Sequence, residues 1–205
     1  MIKKLLTPLI ILFISNSNAQ ELYVLAGSNF TSFEFNSNGS PMSTPLERGT
    51  GSTFEVGYTI PIISENLSYS VAVTLNEYNA LAGNAANSYE WNTKYLGAQS
   101  SLHYHQKITS FFSLTAKAGL NLSTIIYGKQ STNGEIFDLV KQKEFSGLFF
   151  GASGSLHTNY TIKNVGFLSL GYGYSHNIST SNNTQEKLSF KTSQLLLGFH
   201  FNLNP

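Results

Sequence analysis

A strict alternation of apolar and polar residues is the feature that most constrains how this chain folds. It is clearest between Ser113 and Ser123. The apolar positions there are Leu114, Ala116, Ala118, Leu120 and Leu122, and the polar or small positions are Ser113, Thr115, Lys117, Gly119, Asn121 and Ser123. Successive side chains of a β-strand point to opposite faces of the sheet. The alternation therefore predicts a strand with one apolar and one polar face.

Eight segments of the chain carry the same two-residue period, and they predict an all-β protein. The predicted strands are Leu22 to Asn36, Gly51 to Ile62, Leu67 to Tyr78, Trp91 to Gln106, Ser110 to Tyr127, Glu144 to Tyr160, Val165 to Ile178 and Lys187 to Leu203. The seventh places Leu168, Leu170, Tyr172 and Tyr174 opposite Ser169, Gly171, Gly173 and Ser175, and the eighth ends with Leu195, Leu197, Phe199, Phe201 and Leu203 on one face. A soluble β-sandwich or lipocalin-like barrel would expose a charged second face to water, whereas the second face here is mainly Gly, Ser, Thr and Asn.

The links between the predicted strands alternate in length. The short links are Ile63 to Asn66, Lys107 to Thr109 and Thr161 to Asn164, and the long links are Ser37 to Thr50, Asn79 to Glu90, Gly128 to Lys143 and Ser179 to Glu186. Short turns at one end and long polar loops at the other are typical of an outer-membrane barrel with its turns in the periplasm. Aromatic residues suited to the interfacial girdles lie near strand ends, at Tyr58, Tyr69, Tyr104, Tyr160 and Phe201. We therefore predict an eight-stranded antiparallel up-and-down transmembrane β-barrel.

The first twenty residues, MIKKLLTPLIILFISNSNAQ, have the organisation of a secretory signal peptide. Lys3 and Lys4 precede a short apolar run, and small residues lead to Ala19, after which we expect cleavage. The predicted organisation is a signal peptide at 1–19 and one barrel domain at 20–205. No later apolar run reaches the length of a transmembrane helix, so insertion into a membrane requires a closed barrel. Loss of the two lysines changes the formal charge from +1 to −1, which gives no indication of nucleic-acid binding.

The motif AGSNFTS, at Ala26 to Ser32, has an echo in AGLNLST, at Ala118 to Thr124. The two copies fall in the first and fifth predicted strands, half a barrel apart. Four of their residues are predicted to point inward, namely Gly27, Asn29, Gly119 and Asn121. Glycine inside a narrow barrel leaves room for a neighbour's bulky side chain. Duplication of a four-stranded unit would explain the echo, and chance similarity in a biased composition is the alternative.

The leader, the eight-strand spacing, the KAGLNLST strand and the closing LLLGFHFNL segment resemble the porin-family outer-membrane β-barrel proteins of Gram-negative bacteria, often labelled PorT-like. The resemblance covers nearly the whole mature chain. This chain departs from the family pattern because its better copy of the motif, Lys117 to Thr124, lies in the fifth predicted strand instead of an early one. It also ends in Asn204 and Pro205 instead of a terminal aromatic residue. The resemblance implies a barrel fold and a location in the cell outer membrane, and it implies no particular activity.

Motifs of the common catalytic classes are absent from the sequence. There is no cysteine nucleophile, no phosphate-binding loop and no G-x-S-x-G elbow, and GASGS at Gly151 to Ser155 lies within an alternating strand. An enzyme that modifies the acyl chains of lipid A would need a histidine near a serine and an acid at the outer membrane surface. Only His176 lies near an extracellular strand end, and its neighbour Ser175 points to the opposite face. We therefore predict no enzyme activity, no catalytic residue and no cofactor.

Several inward-facing side chains are candidates for a role in the lumen. Glu55 and Lys117 face inward by parity, and we predict an ion pair that plugs the barrel because a lone charge there is costly; a gating role is the alternative. Four of the five histidines are predicted to point inward near the periplasmic end, namely His103, His105, His157 and His200. Imidazoles bind Zn, Cu or Ni, so a metal-binding or proton-sensitive site is an alternative to ordinary lumen packing. Parity places no carboxylate with these histidines, and no metal site is assigned.

These features together predict a non-enzymatic, monomeric outer-membrane barrel with a structural or surface-interaction role. Its expected partners are outer-membrane lipid and an envelope or surface protein. The first alternative is narrow transport or small-ligand binding in the lumen, and the second is lipid A acyl modification. An eight-stranded interior is just wide enough for side chains to fill, which argues against a general pore.

Overall fold

The computed structural model describes residues 20–37, 40–41, 46–64, 66–83, 88–180 and 186–203. The predicted signal peptide, 1–19, lies outside the described residues. The strands of the described part are β1 (Glu21–Ser37), β2 (Ser40–Pro41), β3 (Glu47–Ser64), β4 (Leu67–Gly83), β5 (Ser88–Lys107), β6 (Phe112–Thr132), β7 (Glu135–Asp138), β8 (Leu148–Ile162), β9 (Gly166–Ser179) and β10 (Glu186–Asn202). No helix among the described residues has the length and apolarity needed to cross a membrane.

Within the described residues, eight of these strands form one closed antiparallel barrel. Their order around the barrel is β10, β9, β8, β6, β5, β4, β3 and β1, and pairing of β1 with β10 completes the ring. Closure pairs each barrel strand on both sides, which a sheet requires where no water can satisfy its edges. The short strands β2 and β7 form hairpins on β1 and β6. The predicted eight-stranded up-and-down barrel is confirmed.

The two ends of the barrel differ in their connections. Links of a few residues join β3 to β4, β5 to β6 and β8 to β9 at one end, which we call the short-turn end. The other links lie at the opposite, long-loop end. Glu21 pairs with Asn202, so the start of β1 and the end of β10 both lie at the short-turn end. In outer-membrane barrels this end faces the periplasm.

The predicted faces of the strands are confirmed along the barrel wall. Leu120 of β6 is 54% exposed on the outer surface, whereas its neighbour Asn121 is 6% exposed in the lumen. The same alternation holds in β9, where Leu170 is 58% exposed and Ser169 is 2% exposed. The wall therefore separates an apolar exterior from a polar interior, as in a barrel surrounded by lipid.

The apolar exterior has the height of a bilayer core. On β5 the outer face runs from Tyr104, near the short-turn end, to Lys94. These ten residue steps span about 25 Å at ~3.3 Å each and a tilt of ~40°. Ion pairs mark the long-loop edge of this belt, since Lys94 Nζ lies 2.7 Å from Glu77 Oε1 and Lys191 Nζ lies 2.7 Å from an oxygen of Glu34. Of the predicted girdle residues at the other edge, Tyr104, Tyr160 and Phe201 are exposed and Tyr58 and Tyr69 are partly buried.

Strand ends on the long-loop side differ from the predicted boundaries. β4 continues to Gly83 and β5 begins at Ser88, so much of the predicted loop from Asn79 to Glu90 is strand. β6 continues to Thr132 and turns back into β7 at Asn133 and Gly134, whose φ angles of 50° and 91° are those of a tight hairpin. Beyond the apolar belt the outer face meets water, and the apolar and polar alternation that predicts a strand is lost there.

The predicted start of the sixth strand is also wrong. β8 begins at Leu148 instead of Glu144, because residues 139–146 form turns over the mouth of the barrel. There Leu139 and Phe145 are 2% and 5% exposed. Burial of these two apolar side chains in the mouth favours the turns over continued strand pairing.

The echoed motifs occupy corresponding positions in β1 and β6. Asn29 and Asn121 both point into the lumen, where both are buried. A Cβ atom on Gly27 would overlap the carbonyl oxygen of Leu195, and one on Gly119 would overlap the hydroxyl of Ser101. Both glycines thus permit close approach of neighbouring groups. These groups are a backbone carbonyl and a small hydroxyl instead of the bulky side chain that was expected. The proposed duplication stays a prediction.

Candidate functional site in the barrel lumen

An ion-paired layer crosses the middle of the lumen. Lys117 of β6 and Glu55 of β3 form a salt bridge with side chains only 5% and 11% exposed. Tyr23 of β1 donates a 2.5 Å hydrogen bond to Glu55 Oε1, and Gln99 Nε2 lies 3.5 Å from Glu55 Oε2. The predicted luminal ion pair is confirmed, and four strands are tied together through one carboxylate.

An aromatic layer fills the lumen on the long-loop side of the ion pair. Its central rings, each at most 3% exposed, are Phe33, Tyr78, Tyr95, Phe149 and Phe190. Ring centroids lie 4.8 Å apart for Phe149 and Phe190, and 5.0 Å apart for Tyr78 and Phe190. Leu139 and Phe145 cover this layer from the loop side. The lumen is therefore closed by apolar packing above the charged layer.

Sequence reasoning missed the aromatic layer, although a signal for it was present. The inward parity of β8 runs through His157 and Ser155 to Phe149, and that of β10 runs through His200 to Phe190. A lumen of small polar residues was expected along the whole strand. Carrying the parity to the long-loop end would have placed these rings inside.

A cavity of about 130 Å³ lies on the other side of the ion pair, at the short-turn end. All four inward histidines line it, namely His103, His105, His157 and His200. Glu21, Ser68 and Phe167, which also line it, are the first or second residues of their strands, so the mouth of the cavity is at the short-turn end. The predicted gathering of these histidines at one end of the lumen is confirmed.

Hydroxyl groups are the main partners of these imidazoles. The nitrogen to oxygen distances are 2.8 Å for His103 Nε2 and Ser70, 2.8 Å for His157 Nε2 and Ser155, 3.3 Å for His200 Nε2 and Ser169, and 2.9 Å for His105 Nδ1 and Thr115. His200 also stacks on Phe167 with a centroid distance of 4.1 Å. Neutral imidazoles are well accommodated by such partners.

Glu21 accompanies the histidines, which corrects the expectation that no carboxylate would do so. Its Oε1 contacts His200 Nδ1, and both side chains line the cavity. The predicted first strand began at Leu22, so Glu21 was left outside it although its odd number gives it the inward parity of Tyr23.

The contacts from Glu21 to His200 and on to Ser169 have the connectivity of a catalytic triad. Ser169 is only 2% exposed, however, and its hydroxyl lies against Gly198 in the barrel wall. His103 and His157 make the same kind of serine contact without an acid partner in those hydrogen bonds. The arrangement therefore fits hydrogen-bond satisfaction better than nucleophilic catalysis, which needs a serine that substrate can reach.

Among the described residues, no group of three or more His, Asp or Glu side chains is placed to hold a metal ion.

His176, the remaining histidine, lies on the outer face of β9, where its cross-strand neighbours are Ala152 and Lys191. Ser175 is buried on the opposite, luminal face, as predicted.

No protein-family model and no curated protein matches this chain. Among solved structures, the chain is similar to the outer membrane protein OprG from Pseudomonas aeruginosa at 13% identity, over 90% of this chain and 97% of that one, with a TM-score of 0.53. It is also similar to Neisserial surface protein A, at 16% identity over 89% and 97% with a TM-score of 0.49. A third similar structure is Ail, the attachment invasion locus protein of Yersinia pestis, at 12% identity over 89% and 100% with a TM-score of 0.38.

At these identities the likeness bears on the fold alone, and the OprG match carries it. It agrees with the closed ring of eight strands. The apolar belt of about 25 Å on the outer surface is a separate indication of a barrel in a membrane. The chain is an eight-stranded antiparallel membrane β-barrel of the bacterial outer-membrane type.

Proposed function

We propose that this protein is a non-enzymatic outer-membrane barrel with a structural or surface-interaction role. The observation that supports the proposal is closure of the lumen at two levels, by the Lys117 and Glu55 ion pair and by the aromatic layer around Phe190. Packed side chains fill the cross-section of an eight-stranded barrel. The surfaces left to carry the function are the outer wall, which contacts lipid, and the loops.

The hairpin of β6 and β7 is the part of the long-loop end best suited to contact another protein. Its turn is tight, and Ile136 and Phe137 of β7 are 66% and 45% exposed. Lys129 pairs in register with Asp138, so charged residues flank these apolar side chains. Adjacent exposed apolar side chains on a paired hairpin favour a protein contact. We expect the barrel itself to be monomeric.

The finer family assignment is part of the same proposal. The KAGLNLST segment lies in β6 and the LLLGFHFNL segment in β10, the strand that closes the barrel. These positions are compatible with membership of the PorT-like group within the porin family. A role in export machinery would follow only from a demonstrated partner.

Small-ligand binding in the lumen is the second candidate, and the cavity at the short-turn end favours it. Passage of a ligand across the membrane is opposed by the aromatic layer. Lipid A acyl modification has less support, because the outer-face neighbours of His176 across the strands are Ala152 and Lys191, neither of which is a serine or a carboxylate.

Planar-bilayer recording of the purified protein tests the sealed barrel. We expect no discrete conductance steps from the wild type. The variant Phe149→Ala/Phe190→Ala/Glu55→Ala/Lys117→Ala, which opens space at both levels of closure, serves as a comparison that shows whether inserted protein is detectable. Stable, uniform channels from the wild type would contradict the proposal and favour transport.

A second experiment tests the surface role. The variant Ile136→Ser/Phe137→Ser should fold normally, since both side chains are exposed. Cells that display the wild-type barrel should bind to a partner surface, and cells that display the variant should not. The matched control is Leu156→Ser, which changes an exposed apolar residue within the lipid-facing wall instead of the loops. Equal binding by wild type and the hairpin variant would remove the hairpin from the proposal.

A further inference from the structure

Concentration of histidine in one cavity is the feature that the proposed function leaves unexplained. The sequence contains five histidines, and four of them line the cavity at the short-turn end. Their side chains come from β5, β8 and β10, so three separated parts of the wall contribute to it. The fifth, His176, lies on the outer face and provides an internal comparison.

The charge of this cavity depends on whether its imidazoles are protonated. The other titratable groups in the lining of the cavity are Glu21 and Tyr23 from β1 and Lys117 from β6. Glu55 from β3 lies next to the cavity, in contact with Lys117. Strands β4 and β9 contribute Ser68 and Phe167 to the lining, and neither side chain titrates. Lys117 is already paired with Glu55, and Glu21 is in contact with His200. With neutral imidazoles the cavity therefore has no unopposed positive charge, and the Glu21 carboxylate is opposed only once His200 is protonated.

Protonation reverses this balance. An imidazole in water titrates near pH 6.5, but burial of His103 and His157, which are 6% and 5% exposed, opposes their charged form when no anion is bound. An anion in the cavity would offset that charge, so proton uptake would accompany anion binding. Each protonated ring also has two N–H donors in place of one. The Nε2 atoms of His103 and His157 already contact serine hydroxyls, and His157 Nδ1 has no hydrogen-bond partner among the described residues. Protonated rings here would need further acceptors, and the two carboxylates nearby are already engaged.

We propose that this cavity binds a small oxyanion, of the class of sulfate, phosphate or a short carboxylate, together with protons taken up by the histidines. The cavity volume of about 130 Å³ suits an anion of that size. Thr59, Ser68 and Thr115 lie in the same lining, and their hydroxyl groups can donate further hydrogen bonds to anionic oxygens. The anion enters from the short-turn end and goes no further, because the ion pair and the aromatic layer close the lumen beyond it.

This site is independent of the proposed surface role. The loops could bind a partner whether or not the cavity binds an anion. A metal ion is a poorer occupant, because no three potential ligands converge among the described side chains.

Sulfate is the most informative probe, because it stays a dianion across the pH range in which histidine titrates. Folded full-length barrel in detergent is titrated with sodium sulfate at about pH 5.5 and about pH 7.5, and heat of binding and thermal unfolding are followed. Sodium chloride at equal ionic strength controls for screening. Binding coupled to proton uptake should be at least about tenfold tighter at the lower pH.

Two variants separate the site from a general salt effect. His103→Gln/His157→Gln removes two luminal imidazoles and should abolish the sulfate-specific rise in melting temperature at low pH. His105→Gln is the milder second variant, since its ring is only partly buried, and it should weaken sulfate binding even if the double variant folds poorly. The matched control His176→Gln should behave as the wild type.

Proton NMR of the imidazole ring hydrogens gives a second readout. Sulfate should raise the titration midpoints of the luminal histidines and leave that of His176 unchanged. The proposal is overturned if sulfate and chloride act alike at low pH, if sulfate binding is equal at the two pH values, or if the luminal variants retain the full response.

Discussion

Removing the lysine of the luminal ion pair should be one of the most damaging single changes in this barrel. Lys117→Met keeps much of the side-chain volume but leaves the Glu55 carboxylate, 11% exposed, with Tyr23 and Gln99 as its remaining partners. Depriving a buried charge of its partner costs roughly 3–5 kcal/mol. Tyr23 still donates its hydrogen bond to the carboxylate, so we expect about 3 kcal/mol, at the lower end of that range.

The double variant Lys117→Met/Glu55→Gln separates the effect of the lone charge from that of lost packing. With no charge left in the layer, its free energy of unfolding should return to within about 1 kcal/mol of the wild type, because neutral replacements for a buried pair are often well tolerated. Lys94→Met is the control for an exposed ion pair, since Lys94 and Glu77 are 46% and 25% exposed. It should cost less than about 1 kcal/mol.

Urea unfolding of the reconstituted protein provides the measurement. Trp91 is the only tryptophan in the sequence, and it lies 9% exposed in the aromatic cluster, so its fluorescence reports loss of luminal packing. If Lys117→Met and Lys117→Met/Glu55→Gln were destabilised equally, the charge on Glu55 would not be the cause of the destabilisation. A Lys117→Met variant as stable as the wild type would refute the reasoning outright.

Three further changes test the wall and the fold. Leu120→Arg, on the lipid face, should lower the free energy of unfolding by roughly 2–4 kcal/mol near the midplane, whereas Asn121→Ser should be mild, and equal effects would mean that the two faces are interchanged. Gly171→Ala should destabilise by about 1–3 kcal/mol in the same assay, because a Cβ there would overlap the His157 ring, and adding His157→Ala should restore stability. Unheated protein should migrate differently from boiled protein on a gel and give a circular dichroism spectrum dominated by strand, and a helical spectrum would contradict the barrel.

The wall of the barrel was predictable because one physical rule governs it. Lipid outside and packed polar groups inside force opposite chemistry on successive side chains, and a segment such as Ser113 to Ser123 shows this directly. The ion pair of Lys117 and Glu55 followed from the same rule, since parity placed both inside. Pairing of His103 with Ser70 and of His200 with Ser169 depends on register between strands, which a single strand does not reveal. Ser155, in contrast, lies two residues before His157 on the same face of β8.

The long-loop end was harder to predict because the rule stops applying there. Phe149 and Phe150 are adjacent apolar residues, yet one is buried in the aromatic layer and the other is 48% exposed. Composition does not separate them, and only parity counted from His157 does. The Asn133 and Gly134 pair is a recognised hairpin signal that was passed over. Folding of residues 139–146 into the mouth depends on the aromatic rings beneath them, which are tertiary contacts.

Closure of the lumen is most directly tested by labelling single cysteines from one side of the membrane. The sequence has no cysteine, so a single introduced thiol is labelled without background. Glu135→Cys lies on β7 at the long-loop end, and Ser68→Cys lies in the lining of the cavity at the short-turn end. Vesicles are prepared with one orientation, established by protease cleavage of the loops, and a small charged thiol reagent is added outside.

With the long-loop end outward, Glu135→Cys should be labelled rapidly and Ser68→Cys only after detergent opens the vesicles. Labelling of both thiols at similar rates in intact vesicles would show an open passage through the lumen and contradict the sealed barrel.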